Sequence, residues 1–239
     1  MESIKILVLL TNTSNLKVTN DSKTKTGFDI KELAHAHTCI MKEFPETKFT
    51  FVTPNGGRAP IDPLSLEDKE KDQVLKKFLA DKEMMEKFEK TFSLNQVKDE
   101  KFCAMIVPGG AGALIDLPHA MKNCGKLVDS IYNEKKGLIA SIGHGASAFL
   151  EIPSTQDSSK YWISGRKLTA ITKVEDTELG LISELPFVLE DEMKHRKVKF
   201  ETKSKFSSNV VVDDRLITAQ NPQSTQMWVK EMIKIMKPF

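Results

Sequence analysis

Cysteine is scarce, with three widely separated residues at Cys39, Cys103 and Cys124. An odd, scattered set argues against a disulfide framework and a cysteine-rich zinc site, and it suits a reducing compartment. Long apolar runs are missing too. None approaches the ~20 residues of a membrane-crossing helix, and the run at 4–10 is too short for a signal-peptide core. A cytoplasmic protein with no membrane insertion is therefore expected. Neither sign of charge dominates, since 35 basic and 33 acidic side chains leave a net +2. The concentrated basic footprint of a nucleic-acid binder is absent, so no direct nucleic-acid binding is expected. Histidine is sparse. His35 and His37 stand two apart on a helical pattern and face different ways, while His119 and His195 are isolated. Neither a metal site nor a cofactor is implied.

What is present is ordinary for a globular α/β protein: 239 residues, 40% hydrophobic and 28% charged, read as one domain over 1–239. Strands are expected at 4–10, 48–53, 102–107 and 137–142; the first is a β-branched apolar run, and all but 48–53 read as buried. A polar stretch at 11–25 reads as a loop. Helical spacing follows Gly27 through Phe28, Leu33, Ala36 and Ile40, and Pro45 ends it. Residues 66–101 carry alternating charge and apolar residues at helical spacing, predicting one or two amphipathic surface helices. Further helices are expected at 118–135, from 146, and at 223–236. Short strands are expected at 161–164, 167–171, 210–212 and 216–218. Strands alternating with helices imply right-handed crossovers and a mostly parallel sheet covered on both faces.

The segment Ala140-Ser141-Ile142-Gly143-His144-Gly145 carries the most chemistry. A buried strand enters a tight turn and at once begins a helix. Such an elbow lifts one residue to the carboxyl edge of a sheet, beside amides that can stabilise an oxyanion. This run resembles the nucleophile elbow of the DJ-1/PfpI superfamily, where cysteine precedes histidine and glycine. Pro108-Gly109-Gly110-Ala111-Gly112 with Asp116-Leu117-Pro118 is similar to that family's glycine loop. Asp214-Arg215-Leu216-Ile217-Thr218 followed by Asn221-Pro222 is similar to its closing signature. Lys25-Thr26-Gly27 followed by Glu32 resembles the Hsp31-like branch. The fold implied is a three-layer α/β sandwich of flavodoxin-like, DJ-1/PfpI type, and homo-oligomers are expected.

Gly143 stands where the family keeps its cysteine. The family's rearrangement of 2-oxoaldehydes, proteolysis and amide transfer begin with thiolate attack, for which glycine has no atom. The same Gly-His-Gly elbow, with the 185–191 and 212–221 segments, resembles an animal branch of glutamine amidotransferase-like class 1 domain proteins. That likeness implies a noncatalytic, self-assembling subunit with protein partners in an endosome-associated complex, located in the cytoplasm or on early endosomes. The alternative is a residual glyoxalase, hydratase or hydrolase in which His144 activates water with Glu175 or Asp176, where the Hsp31-like branch places a carboxylate. Glu32 would be the carboxyl that faced the missing thiol, or a helix-surface charge. Gly109, Gly110, Gly112 and Gly145 could present amides to an oxyanion, or serve tight turns. Ser141 and Ser147 flank the elbow without reaching its apex. The discriminating expectation is geometric: a working dyad needs the imidazole bonded to a carboxylate and open to a cavity of substrate size.

Overall fold

The computed structural model describes residues 4–16, 24–157 and 159–237. The centre of the loop expected at 11–25 lies outside them. Along the chain the strands and helices are β1 (Lys5–Leu9), α1 (Ile30–Glu43), β2 (Lys48–Thr53), β3 (Asn55–Gly57), α2 (Gln73–Ala80), α3 (Lys82–Glu89), β4 (Thr91–Ser93), α4 (Leu94–Val97), β5 (Ala104–Val107), α5 (Ala113–Met121), α6 (Gly125–Asp129), β6 (Leu138–Ile142), β7 (Lys167–Leu168), α7 (Lys173–Glu178), α8 (Leu189–His195), β8 (Lys199–Phe200), β9 (Val210–Asp213), β10 (Leu216–Ala219) and α9 (Thr225–Met236). Eight strands form one sheet in the order β3-β4-β2-β1-β5-β6-β10-β9, and β7 pairs with β8 separately. The centre of the sheet is parallel. Only its outermost pairs, β3 with β4 and β9 with β10, run antiparallel.

Alternation along the central strands builds a core on each face. Leu7, Leu9, Met105, Val107 and Ile139 face α5, α6 and the elbow segment. Ile6, Val8, Ala104, Ile106, Leu138 and Ala140 face α1, α2, α3 and α9. The chain leaves β1 for β2 on one side and returns to β5 on the other, so β1 and β5 flank a switch in strand order. Open α/β sheets bind ligands beyond the strand ends at such a point. There the loops after β1, β5 and β6 converge: Thr11 Oγ1 donates to the Gly112 carbonyl at 3.2 Å, and Ser147 Oγ donates to the Ala113 carbonyl at 2.9 Å.

Several expectations are corrected. The 66–101 stretch holds α2 and α3, but also β4 and α4, because Thr91 and Ser93 pair with the sheet and Ser93 with Gln96 then forms a capping box. The helix expected from Pro118 starts earlier, at Ala113. Pro118 sits inside α5, and the helix breaks before α6 and a π-helical turn at Ser130–Glu134. The residues expected as a strand at 161–164 make only a single bridge, Tyr161 to Pro153. The 167–171 strand shrinks to β7, because Thr169 spends its amide on the Thr218 hydroxyl rather than on a ladder. The elbow continues as a 3-10 helix, Gly143–Phe149, and a 3-10 turn at Pro222–Ser224 precedes α9. Helix α8 has no counterpart among the elements expected from the sequence.

Candidate functional site

Strand β6 ends extended at Ile142, and Gly143 turns the chain at a φ of +54°. This is left-handed backbone, which costs a side-chain-bearing residue about 1–3 kcal/mol and glycine little. Gly145 follows for a steric reason: a Cβ there would lie 2.4 Å from the Val107 carbonyl oxygen. Between them His144 is 6% exposed, and its Nε2 lies 2.9 Å from Oδ1 of buried Asp176. A carboxylate oxygen can only accept, so a neutral ring making this contact with it carries its proton on Nε2 and keeps a lone pair on Nδ1. Of the two expected carboxyl partners, Asp176 meets the imidazole. Glu175 does not. It turns the other way and accepts from the amide and hydroxyl of Thr172, the Phe206 amide, Gln220 Nε2 and Asn221 Nδ2.

Glu32 is not a surface charge. It is 2% exposed at the first turn of α1, and its Oε2 accepts from the Gly109 amide at 2.7 Å. Burial, then the neighbouring Asp29 and Asp62, push its carboxyl well above the usual range, toward the protonated acid. Asp29 caps α1 by accepting from the Glu32 amide at 2.9 Å, and burial raises it to about 6. Burial also raises Asp62, which accepts from Thr26 Oγ1 and the Leu64 amide. Neither aspartate is among the site residues expected from the sequence. A turn residue between two prolines and an N-cap carry no local sign of meeting across a cavity.

The glycine loop divides by role. The Gly109 amide is committed to Glu32, so it is not free to hold an oxyanion. Gly110 has a φ of +94°, and a Cβ on it would meet the Gly27 carbonyl at 2.1 Å. Gly112 packs against Thr11 and Thr13. Close packing accounts for Gly110, Gly112 and Gly145.

An open cavity of about 280 Å³ spans these elements, walled by Glu32, Asp62, Gly109, Gly143, His144 and Leu181. None of the three cysteines lines it, and its serine, Ser65, donates to the Asp62 carbonyl at 2.6 Å. Among the described residues no cluster of three or more histidine, cysteine or acidic side chains suits a metal ion, and no helix is long and apolar enough to cross a membrane. Elsewhere His35 pairs with Asp72 at 2.7 Å, while His37 lies between the rings of Phe49 and Phe78, where burial pushes it down to about 4.

A doubly covered, mostly parallel sheet with a strand-turn-helix elbow at its carboxyl edge defines an α/β protein of the nucleophile-elbow class, here without the nucleophile. Residues 68–235 match the DJ-1/PfpI family, and the chain belongs to it. It is 29% identical over 148 residues to a probable glutathione-independent glyoxalase of Schizosaccharomyces pombe, and 31% identical over 141 residues to glutamine amidotransferase-like class 1 domain-containing protein 1 of Xenopus laevis. Each match covers 59% of this chain, but only 56% and 59% of those relatives' own lengths. Glyoxalase 3 of Candida albicans matches at 26% over 242 residues, covering 96% of this chain and 97% of that protein. Among solved structures, the Rapid Encystment Protein 24 KDa of Francisella tularensis superimposes with a TM-score of 0.85 at 29% identity, covering 97% of this chain and 98% of that one.

Proposed function

We propose that this protein converts small 2-oxoaldehydes by proton transfer rather than by thiolate attack. The observation that carries the reading is the His144–Asp176 contact, 2.9 Å long, on the wall of an open cavity. Relatives named as glyoxalases support the substrate class. Water adds to the aldehyde to give its hydrate. His144 Nδ1 takes the proton on C1, the freed electron pair forms the C1–C2 double bond, and the C2 oxygen takes the proton of Glu32. The imidazolium then returns its proton to C2. As C1 becomes the carboxyl group, its hydroxyl proton goes to the Glu32 carboxylate. The sum is 2-oxoaldehyde plus water giving a 2-hydroxy acid, with both side chains restored. Asp176 holds the ring and stabilises its cationic form.

The second reading is a noncatalytic pocket in a protein acting through assembly or partner binding. Gly143 favours it, since no side chain stands at the elbow's apex. Methylglyoxal turnover by the parent, His144→Gln and Gly143→Cys proteins separates the two. Proton-transfer catalysis predicts parent turnover that falls at least about a hundredfold in His144→Gln. An inactive parent with activity appearing in Gly143→Cys would sink it and leave the noncatalytic reading.

A further inference from the structure

Acidic side chains are in excess around the elbow cavity. Asp29, Glu32 and Asp62 lie toward its floor, and Glu67 and Asp68 stand exposed at its rim. Its lining includes two basic side chains, and both are engaged: Lys31 Nζ pairs with Asp68 at 3.1 Å, and His144 pairs with Asp176 at 2.9 Å. An entering anion would therefore find no free cation and would face the carboxylates of the rim. Beside this acidic side stands an apolar one, formed by Leu64, Ile171, Leu179 and Leu181. Leu64 is 52% and Leu179 47% exposed, so this surface continues outward to the mouth.

A second observation points to a ligand. Glu32 Oε2 is bonded to Gly109, but Oε1 has no partner among the described residues. It lies 4.0 Å from where a Cβ on Gly143 would sit, with no other heavy atom of the surroundings that close to the position. The nearly buried carboxyl thus presents one unused oxygen to the space left by the missing side chain. As the acid it is a single donor, matched to a single acceptor oxygen. The cavity's 280 Å³ lies near the lower end of ligand sites, which suits a compound of few heavy atoms.

We infer that Glu67 and Asp68 make the elbow cavity selective for uncharged carbonyl compounds with a short apolar substituent, against analogues bearing a carboxylate or phosphate. The inference rests on the carbonyl-binding reading above and adds to it the residues that set selectivity. Glu67, together with Asp68 whose charge Lys31 offsets in part, is enough for about a tenfold preference in partly screened surroundings.

The test is binding rather than turnover. Pyruvamide and pyruvate share a skeleton with a methyl substituent, lack an aldehyde and differ in charge. Their dissociation constants are measured by ligand-observed NMR for the parent, Glu67→Lys/Asp68→Lys and the milder Glu67→Gln/Asp68→Asn. The expected result is about tenfold tighter binding of the amide by the parent. That ratio should fall in the neutral variant and approach one or invert in the reversed variant, with amide affinity held within about twofold. Equal affinities in the parent, a ratio that both variants leave unmoved, or no binding of the amide would each overturn the inference. Methylglyoxal turnover with no charge preference would sink the selectivity alone. A charge preference without turnover would sink the catalytic reading alone.

Discussion

At the scale of single residues, Asp29 shows how burial changes what a residue type does. A capping aspartate at a surface helix would be ionised throughout the neutral range. Here burial, assisted by Asp62, raises it from 3.8 to about 6 against the hydrogen bonds from the Glu32 and Lys31 amides. The folded state therefore holds this proton more tightly than the unfolded chain. The resulting stability is fully present below about 3.8 and is lost as pH rises through about 6. Asparagine accepts the same capping hydrogen bond without titrating. Asp29→Asn should reduce the stability lost between pH 4 and pH 7.5 by about 2–3 kcal/mol, read from urea midpoints at the two pH values. An unchanged loss would show that Asp29 does not carry it. Gly143, His144 and Glu32 were legible from a short motif and its neighbours. The choice between Glu175 and Asp176 was not, because adjacent residues near a helix start point to different sides, and only the packing of that helix decides which meets the imidazole.

At the scale of elements, α7 is the piece that completes the dyad, and Glu175 holds it in place. Its carboxyl ties the helix start at Thr172 to Gln220 and Asn221 beyond β10, and to the Phe206 amide, where the chain turns at a φ of +58°. Three separate segments thus converge on one fully buried group. Glu175→Ala would leave these donors without their acceptor, at a cost of about 3–5 kcal/mol in global stability. Amide exchange at Phe206 should also quicken beyond what the global loss explains. Unchanged protection there would place the latch elsewhere. The signal for α7 was already present in Thr172-x-x-Glu175, a capping box whose glutamate also serves the tertiary network. Other elements left weaker traces. β4 is three residues long, too short for periodicity to register, and is set by its neighbours β2 and β3. Proline within α5 reads as a start signal, yet the glycine loop begins that helix five residues earlier.

At the scale of the whole molecule, the central strands were the most legible part, because β1, β5 and β6 are buried on both faces and their apolar runs have no polar alternation to confuse them. The small β7–β8 pair and the chain around it were not, since their order depends on side-chain bonds such as that from the Thr169 amide to Thr218. The central strands have a further consequence. Each supplies alternate residues to the two cores, so neither core can come apart without exposing the back of the other. The two tryptophans of the chain report on opposite sides: Trp162 packs with Phe149 on the elbow face, while Trp228 is fully buried in α9 on the other. Trp162→Phe and Trp228→Phe therefore give proteins whose fluorescence follows one face each. In both, the urea midpoint by fluorescence should coincide with that by far-ultraviolet circular dichroism, as for one cooperative unit. If the Trp162 signal in Trp228→Phe fell at lower urea than the helical signal, the elbow face would be opening by itself. The dyad between His144 and Asp176 would then belong to a separately unfolding layer rather than to the sheet that positions it.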